Sequence, residues 1–316
     1  MPKVSVIIPA YNSGHYLDEA VQSVIAQTFT DWECVVVDDG STEDLSRVGK
    51  MDPRLRLIRQ VNRGTSAARN MGILSSTGEF IAFLDHDDLW LPHKLERQLG
   101  AFAASPSAGL CHAAVESIDA IGNVIWPPCM GIFSGWEDML GRGAPQLSTA
   151  MIRREVIAAA GLFDPLYPVV QDMDLFLRVA RVFPIISIPS CELQYRHHAN
   201  NTSSRHPTMY LETASVTMKW AALARRENRP AAFRAVRAGW RMAGGQAYGA
   251  ARGALRSGRL LAALRHIFYA ARWAPRATTI ALLKFPFQRL AKLAGAGGGR
   301  ATSTVEVPRP ATGIAK

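Results

Sequence analysis

The sequence is poor in cysteine and has no long run of apolar residues. Four of its 316 residues are cysteines, and none forms the CxxC pair that is typical of zinc and redox sites: Cys34, Cys111, Cys129 and Cys191. No apolar run approaches the roughly 18 residues that a transmembrane helix needs. The apolar stretch at 4–10 is too short for a signal peptide. We therefore expect a cytoplasmic protein with free thiols.

Several common catalytic motifs are also missing. The sequence contains no GxxxxGK(S/T) phosphate loop, and no GxGxxG pattern follows the first predicted strand. HExxH and GxSxG are absent as well. These absences argue against a P-loop kinase, a dehydrogenase and a hydrolase of the usual kinds.

Charge is divided unevenly along the chain. Residues 207–316 contain 19 of the 36 Lys and Arg residues but only 3 of the 26 Asp and Glu residues. Up to residue 293 this part is rich in Ala, Leu and Arg with helical spacing, and the remainder has the Gly, Ala, Pro and Thr content of a disordered segment. We therefore predict a globular domain at 1–206, a basic helical region at 207–293 and a disordered tail at 294–316.

The basic helical region has two main interpretations. It is either a helical bundle packed on the globular domain or a surface that rests on anionic lipid. Aromatic residues between the arginines would suit a lipid interface: Trp240, Phe268, Tyr269, Trp273, Phe285 and Phe287. Nucleic-acid binding has no support other than charge, so we expect none.

The first 90 residues alternate between strand and helix patterns. Such alternation predicts an α/β fold with a Rossmann-type, mostly parallel sheet between helices. The predicted strands lie at 3–9, 32–37, 55–59 and 79–84, and the predicted helices at 16–26 and 66–75. Further strands are expected at 109–117 and 185–195, and further helices at 155–161 and 172–182. Ligands of such sheets bind beyond the carboxyl ends of the strands, so one pocket should gather the polar clusters at 9–12, 38–41 and 85–88.

The segment FLDHDDLW places three acids directly after a predicted strand. Asp85, Asp87 and Asp88 would repel one another without a counter-cation. Mg²⁺ and Mn²⁺ are typically held by one or two carboxylates together with substrate phosphates. The alternative is a helix start, because Pro92 suits a first helical turn and nearby acids favour its dipole. That alternative explains one or two acids but not all three.

The other candidate residues also allow two interpretations each. Asp38 and Asp39 precede Gly-Ser and could form a simple turn or accept hydrogen bonds from a base or ribose. Arg69 could pair with a surface acid or with a diphosphate. Asp172 begins a predicted helix and could cap it or act as a general base. His198 could be a surface histidine or could reach a metal or phosphate.

Together these segments resemble glycosyltransferase family 2. The similarity covers roughly residues 3–205 and is carried, in the family's order, by VSVIIPAYNSGHYLDEAVQSVIAQTF, VVVDDGSTED, NRGTSAARNMGILSSTGEFIAFLDHDDLWLPHKLE and GLFDPLYPVVQDMDLFLRV. The resemblance implies a GT-A-like fold over 1–206, which becomes the catalytic domain. It also implies a nucleotide-sugar donor.

The resemblance implies a role for each matching residue. The donor nucleotide would be contacted by Pro9, Ala10, Tyr11, Asp38, Asp39, Arg69, Asp85 and His86. The DxD pattern of the family falls on Asp85 and Asp87, and a bound Mn²⁺ or Mg²⁺ would be held by Asp87, Asp88 and His198. Asp172 matches the catalytic base, and Gln171 stands where the family usually has Glu, so a second carboxylate is missing beside it.

The sequence thus predicts a metal-dependent, inverting glycosyltransferase that uses a nucleotide sugar, with UDP as the expected nucleotide. The expected acceptor is a glycan or lipid-linked saccharide of the cell envelope, met at the inner face of the cytoplasmic membrane. One alternative is a sugar-nucleotide nucleotidyltransferase, but the segment PAYNSGHY lacks the Gly-rich, Arg/Lys-bearing loop that it needs. Another is a non-catalytic nucleotide-sugar-binding protein, against which the intact acids argue.

Overall fold

The computed structural model describes residues 1–199, 201, 209–227 and 230–273. Its strands are β1 (Val4–Ala10), β2 (Trp32–Asp38), β3 (Leu55–Arg59), β4 (Phe80–Phe83), β5 (Leu89–Trp90), β6 (Leu110–Ile118), β7 (Val124–Cys129), β8 (Met151–Arg153) and β9 (Ile185–Arg196). Its α-helices are α1 (Tyr16–Ile25), α2 (Thr65–Leu74), α3 (Lys94–Ala104), α4 (Trp136–Arg142), α5 (Arg154–Ala160), α6 (Gln171–Val182), α7 (Met209–Arg226), α8 (Pro230–Arg256) and α9 (Leu260–Trp273).

The strands form one sheet in the order β3-β2-β1-β4-β8-β6-β9-β5, and β7 pairs with β6 beside this path. The first four strands of this order run parallel. Strand β8 is antiparallel to both β4 and β6, and β6 is parallel to β9. The α/β fold is therefore confirmed, with a parallel half that holds the predicted strand ends and a mixed half that the sequence analysis did not resolve.

The central strands are buried on both faces. All seven residues of β1 are buried, which explains why six of them are apolar. Because side chains alternate along a strand, Val6 and Ile8 pack with Leu17 of α1 in one hydrophobic cluster. Ile7 points to the opposite face and packs with Ala68 of α2 in the other cluster. Helices thus cover both faces of the parallel half.

The described helices of the basic region pack on the rest of the chain. Val216 and Trp220 of α7 belong to the same hydrophobic cluster as Met139 and Leu140 of α4. The ring centroids of Trp136 and Trp220 lie 5.0 Å apart. This packing agrees with the bundle interpretation of the region. In the described part of the chain, no helix is both long and apolar enough to cross a bilayer.

Most predicted elements of the parallel half are confirmed within one or two residues. The predicted helix at 16–26 is α1, and the predicted strand at 32–37 is β2. The short strands β5, β7 and β8 were not predicted. The predicted tail at 294–316 lies outside the described residues, as does the part of the basic region after residue 273.

Candidate active site

A cavity of about 420 Å³ opens where β1, β2 and β4 end. It gathers most of the residues that the sequence predicted: Pro9, Ala10, Tyr11, Asp39, Arg69, Asp85, His86, Asp87 and Asp172. Three predicted residues do not line it, namely Asp38, Asp88 and His198. The three polar clusters at the strand ends therefore meet as expected, although the role of each residue stays a prediction.

The loop after β2 is held by its two acids. Asp39 Oδ1 accepts hydrogen bonds from the backbone N–H of Arg63 at 2.9 Å and from Gln60 Nε2 at 2.7 Å. Its Oδ2 accepts one from the Gly64 N–H at 2.8 Å. Gly40 follows with a φ of +80°, and a Cβ there would lie 2.8 Å from the Asn62 nitrogen. Only glycine fits this turn without strain, so the loop presents Asp39 in one fixed position.

Asp38 lies behind this loop instead of in the cavity wall. Its Oδ1 accepts the Ser41 N–H at 2.8 Å, and its Oδ2 lies 3.3 Å from Arg59 Nη1. The side chain is almost fully buried. In the structure this carboxylate therefore supports the loop that carries Asp39 and does not line the cavity, and its predicted nucleotide contact stays a prediction.

Arg69 and Asp85 form an ion pair inside the cavity. Arg69 Nη2 donates a hydrogen bond to Asp85 Oδ1. The arginine side chain is 6% exposed and the aspartate side chain 33% exposed. Helix α2 supplies Arg69, and the segment directly after β4 supplies Asp85. Helix α2 and strand β4 follow each other in the chain and both belong to the parallel half. A buried guanidinium in a polar cavity is a strong donor for carboxylate or phosphate oxygens.

Asp87 is paired with His198, the histidine that the resemblance implies lies near a metal or diphosphate. His198 Nε2 lies 2.8 Å from Asp87 Oδ2, and Asn201 Nδ2 lies 3.4 Å from the same oxygen. Burial opposes ionisation of Asp87, but the hydrogen bond from His198 and the charges of His86 and His198 outweigh it and lower the pKa of Asp87. Asp87 is thus held as a carboxylate, with His198 behind it.

Asp88 faces away from the cavity and supports the turn that carries the other two acids. Its Oδ2 accepts the Ser148 hydroxyl at 2.6 Å, and its Oδ1 accepts the Arg196 N–H at 3.1 Å. Ser148 Oγ also accepts the Asp85 N–H at 3.1 Å. Burial, followed by the charges of Asp87 and Asp85, raises the pKa of Asp88 well above its ordinary value. In the structure Asp88 therefore supports this turn and does not line the cavity, and its predicted role as a metal ligand stays a prediction.

Two carboxylates in the cavity are compatible with a divalent cation that substrate phosphates would help to hold. Within the described residues, no group of three His, Cys, Asp or Glu side chains is arranged to hold a metal. Mg²⁺ needs fewer protein ligands when one or two carboxylates act with substrate phosphates. Asp85 and Asp87 offer two carboxylates to one cavity, so the residues present fit such a cation.

Asp172 has the properties of a general base. It lies in the first turn of α6 and lines the cavity. Burial raises the pKa of Asp172 to about 6, although the Met173 N–H and the charge of Arg69 oppose this shift. A carboxylate with this pKa is a better proton acceptor than an exposed aspartate and is still ionised at neutral pH.

Gln171 connects the start of α6 to α2. Its Oε1 accepts the Ser66 hydroxyl at 2.6 Å, and its Nε2 donates to the Pro168 carbonyl at 3.3 Å. The side chain is buried. The neutral amide of Gln171 satisfies both of these partners. Although Gln171 departs from the family pattern, it still fixes the start of α6, and with it Asp172, relative to α2.

The sequence analysis missed one wall of the cavity, which comes from the basic helical region. Helix α7 contributes Met209 and Thr213, and α8 contributes Met242 and Gln246. Among the described residues, the buried Gln246 Oε1 has no hydrogen-bond partner. No motif marks these positions; the helical pattern of 207–293 was the only available signal, and it does not say which face meets the cavity.

This fold, with acids at the ends of parallel strands, defines the class of GT-A glycosyltransferases. The structure resembles a crystal structure of S. aureus TarS in complex with UDP-GlcNAc, with a TM-score of 0.56 and 15% identity. The similarity covers 85% of this chain and 91% of that one. Residues 5–157 match the family described as Glycosyl transferase family 2. This segment, just under half of the chain, therefore has the sequence of a glycosyltransferase family 2 domain.

Curated relatives match shorter stretches. An uncharacterised glycosyltransferase of Rickettsia felis is 42% identical over 136 residues, which are 42% of this chain and 22% of that protein. The E. coli UDP-Glc:alpha-D-GlcNAc-diphosphoundecaprenol beta-1,3-glucosyltransferase WfgD is 38% identical over 99 residues. That match covers 30% of this chain and 39% of WfgD. The chain therefore aligns with about a fifth to two fifths of the length of these relatives.

Proposed function

We propose that this protein transfers a sugar from a UDP-sugar donor to a saccharide acceptor with inversion of configuration, aided by a divalent cation. The observation that carries the proposal is that Asp172 lies in the same cavity as Asp85, Asp87 and Arg69. One side of the cavity thus suits an anionic leaving group, and the other holds a proton acceptor. The UDP-GlcNAc complex of TarS and the UDP-Glc donor named for WfgD support a uridine nucleotide.

The leaving group is a nucleoside diphosphate whose negative charge grows as the sugar–phosphate bond breaks. Arg69 is preorganised beside Asp85 to donate hydrogen bonds to that charge. A Mn²⁺ or Mg²⁺ ion held by Asp85 and Asp87 would neutralise the diphosphate when bound. His198 would keep Asp87 ionised and oriented through its 2.8 Å contact.

Asp172 would take the proton of the acceptor hydroxyl. With a pKa of about 6, the carboxyl is about nine-tenths ionised at pH 7. An alcohol is a poor nucleophile, and proton removal during attack typically contributes about 10²- to 10⁴-fold to such a rate. A single displacement by the acceptor opposite the leaving group inverts the anomeric centre.

We further propose that the acceptor is a lipid-linked saccharide used for a cell-envelope polysaccharide. WfgD, whose name includes a diphosphoundecaprenol acceptor, supports this class. The wall formed by Met209, Thr213, Met242 and Gln246 would contact the acceptor, because it lies beyond the donor-binding strand ends. Its mixture of thioether, hydroxyl and amide groups suits a sugar with apolar and polar faces.

Peripheral attachment to an anionic membrane is part of the same proposal. Helix α9 exposes Leu260, Leu261, Leu264 and Phe268, with relative exposures between 54% and 84%. Its opposite face buries Ala263, His266 and Ala270. Residues 230–273 contain eight arginines and no Asp, Glu or Lys. An exposed apolar stripe on a basic helix is typical of helices that lie in a membrane interface.

The donor site is tested by thermal unfolding with a panel of nucleotides, each with Mn²⁺, with Mg²⁺ and with chelator. A ligand that binds the folded state raises the melting temperature. We expect UDP to do so only with a metal, and Asp87→Ala to abolish the shift. Asp31→Ala, an exposed acid before β2, is the matched control and should retain it. A panel without any metal-dependent shift would contradict the proposal.

The membrane surface is tested separately by co-sedimentation of the full chain with vesicles of phosphatidylcholine alone or with phosphatidylglycerol. We expect binding to the anionic vesicles and its loss in the double variant Leu261→Glu and Phe268→Glu. The control Leu74→Glu changes a leucine of α2 that is 72% exposed and should leave binding unchanged. Equal binding by all three proteins would contradict attachment through α9.

A further inference from the structure

Glu212 reaches from α7 to the segment directly before the catalytic helix α6. Its Oε2 accepts the backbone N–H of Val169 at 2.9 Å and that of Val170 at 3.1 Å. Asp172 follows two residues later. Glu212 is half-buried and lies in the first turn of α7. One carboxylate oxygen from the basic region thus fixes two consecutive peptide groups beside the proposed base.

The contact from Glu212 takes the place of an N-terminal side-chain cap, which α6 lacks. In a capping box, a Glu or Gln at the third helical position accepts the N–H of the N-cap residue. The N-cap of α6 is Val170, which makes no side-chain capping bond, and the third helical position is Met173. Neither residue can accept a backbone hydrogen bond through an oxygen of its side chain. Glu212 supplies the missing acceptor from another helix.

A second contact from α7 holds α6 on the other side of Asp172. Lys219 Nζ donates to Asp174 Oδ1 at 2.6 Å, and the Asp174 side chain is fully buried. Arg178 Nε donates to the second oxygen of Asp174 at 2.9 Å. Positions 170 and 174 are therefore both tied to α7, with Asp172 midway between them.

We propose that Glu212 is a positioning residue for Asp172. It fixes the segment 169–170, and through it the first turn of α6, so that the Asp172 carboxylate stays in its desolvated position in the cavity. The inference rests on the proposed function, in which Asp172 is the general base. It goes beyond that function by making the basic helical region part of the catalytic apparatus.

The test measures kcat, KM and the pH profile for UDP release from UDP-glucose, UDP-galactose and UDP-GlcNAc with Mn²⁺. In Glu212→Ala we expect kcat to fall about 10- to 100-fold, since small displacements of a catalytic group cost this much, with an unchanged donor KM. The midpoint of the acid limb of kcat should move from about pH 6 toward the ordinary aspartate value of about 3.9. The reason is that a loosened first turn lets water reach Asp172. A role in stability alone would not move that limb.

Glu212→Gln is the rescue variant, since its amide oxygen can accept both N–H groups, and it should stay within about threefold of the parent. Glu227→Ala is the matched control. Glu227 pairs with Arg181 at the far end of the same two helices, and its loss should leave kcat and the acid limb unchanged. Melting temperatures of all variants confirm that they are folded.

The following results would separate the ways in which the inference can fail. If Asp172→Asn loses activity but Glu212→Ala keeps the parent kcat and acid limb, the positioning role is wrong and the proposed function stands. The positioning role is also wrong if Glu212→Gln is as impaired as Glu212→Ala, or if Glu227→Ala is as impaired as either. If Asp172→Asn keeps full activity, Asp172 is not the base and the positioning role is wrong with it; if the parent itself releases no UDP from any of the donors, the proposed function is wrong.

Discussion

The two sides of the cavity are built in different ways. The donor side is formed by the ends of β1, β2 and β4 and by the start of α2, all within the first 90 residues. The opposite side combines the segment 168–173 with α7 and α8, which are distant in sequence. The first side depends on acids and an arginine at fixed positions. The second depends on helix packing, and apart from Asp172, which matches the catalytic-base position of the family, its residues carry no motif.

This difference in construction predicts different tasks for the two sides, namely binding of the donor and binding of the acceptor. A nucleoside diphosphate carries the same charges in every donor. An arginine, together with a cation held by acids at the strand ends, can bind those charges. Acceptors vary in shape, and a wall made of packed helices can change its side chains without disturbing the sheet. We therefore expect substitutions on the two sides to have separable effects, and the predictions below run from the largest effect to the smallest.

The largest effect is expected where the two sides meet. Asp172→Asn keeps the shape of the side chain but removes the proton acceptor, so kcat for transfer should fall by about 10²- to 10⁴-fold. Binding of UDP should persist, since the proposed function assigns the diphosphate to Arg69, Asp85 and Asp87 and not to Asp172. Steady-state kinetics and UDP titrations on the same preparation measure both, and a variant that retains its kcat would remove the base from the mechanism.

Metal removal should affect the donor side alone. Chelation is expected to lower the rate by at least about 100-fold, because a cation contributes several kcal/mol to stabilising the leaving group. Mn²⁺ or Mg²⁺ should restore the activity. Full activity in excess chelator would show that Arg69 serves the diphosphate without a cation.

The pH dependence should report the shifted pKa of Asp172. Because the base acts in its ionised form and its pKa is raised to about 6, kcat should be flat near neutral pH and fall about tenfold per unit below pH 6. An aspartate with its ordinary pKa would keep the rate constant to about pH 4. A pH profile of kcat at saturating donor distinguishes the two.

The smallest effect is expected on the helical wall. Gln246→Ala should raise the KM of a lipid-linked saccharide acceptor by about 2- to 10-fold, as is typical for one lost hydrogen bond, and should leave the donor KM unchanged. Gln22→Ala on the exposed face of α1 is the control. A larger change in donor KM than in acceptor KM would mean that the wall does not face the acceptor.

The sequence predicted the donor side well because its signals are local. Buried strands such as β1 are recognised by their content of Val and Ile, and the end of a parallel strand fixes which residues meet. The sequence could not tell Asp88 from Asp87, since both follow β4 and only the turn decides which carboxylate faces the cavity. The alternation of Asp85 and Asp87 was the one available signal that these two point the same way.

The other side could not be predicted for a physical reason. Strands β5 and β8 have two and three residues, too few for any periodicity, and exist because β9, β4 and β6 pair with them. Met242 and Gln246 lie on one face of a long amphipathic helix. Periodicity identifies such a helix but not the element that it packs against, so the link between the basic region and the cavity emerged only from the tertiary structure.

The central claim is that donor binding and acceptor activation occupy opposite sides of one cavity. The most direct test is a calorimetric titration of UDP with Mn²⁺ into the parent protein, Asp87→Ala and Asp172→Asn. We predict that Asp172→Asn binds UDP within about threefold of the parent, since the amide keeps the shape of the side chain and removes no group that binds the diphosphate in the proposed function. We also predict that Asp87→Ala loses the metal-dependent part of the affinity. The reverse pattern, with binding lost in Asp172→Asn and kept in Asp87→Ala, would contradict the claim.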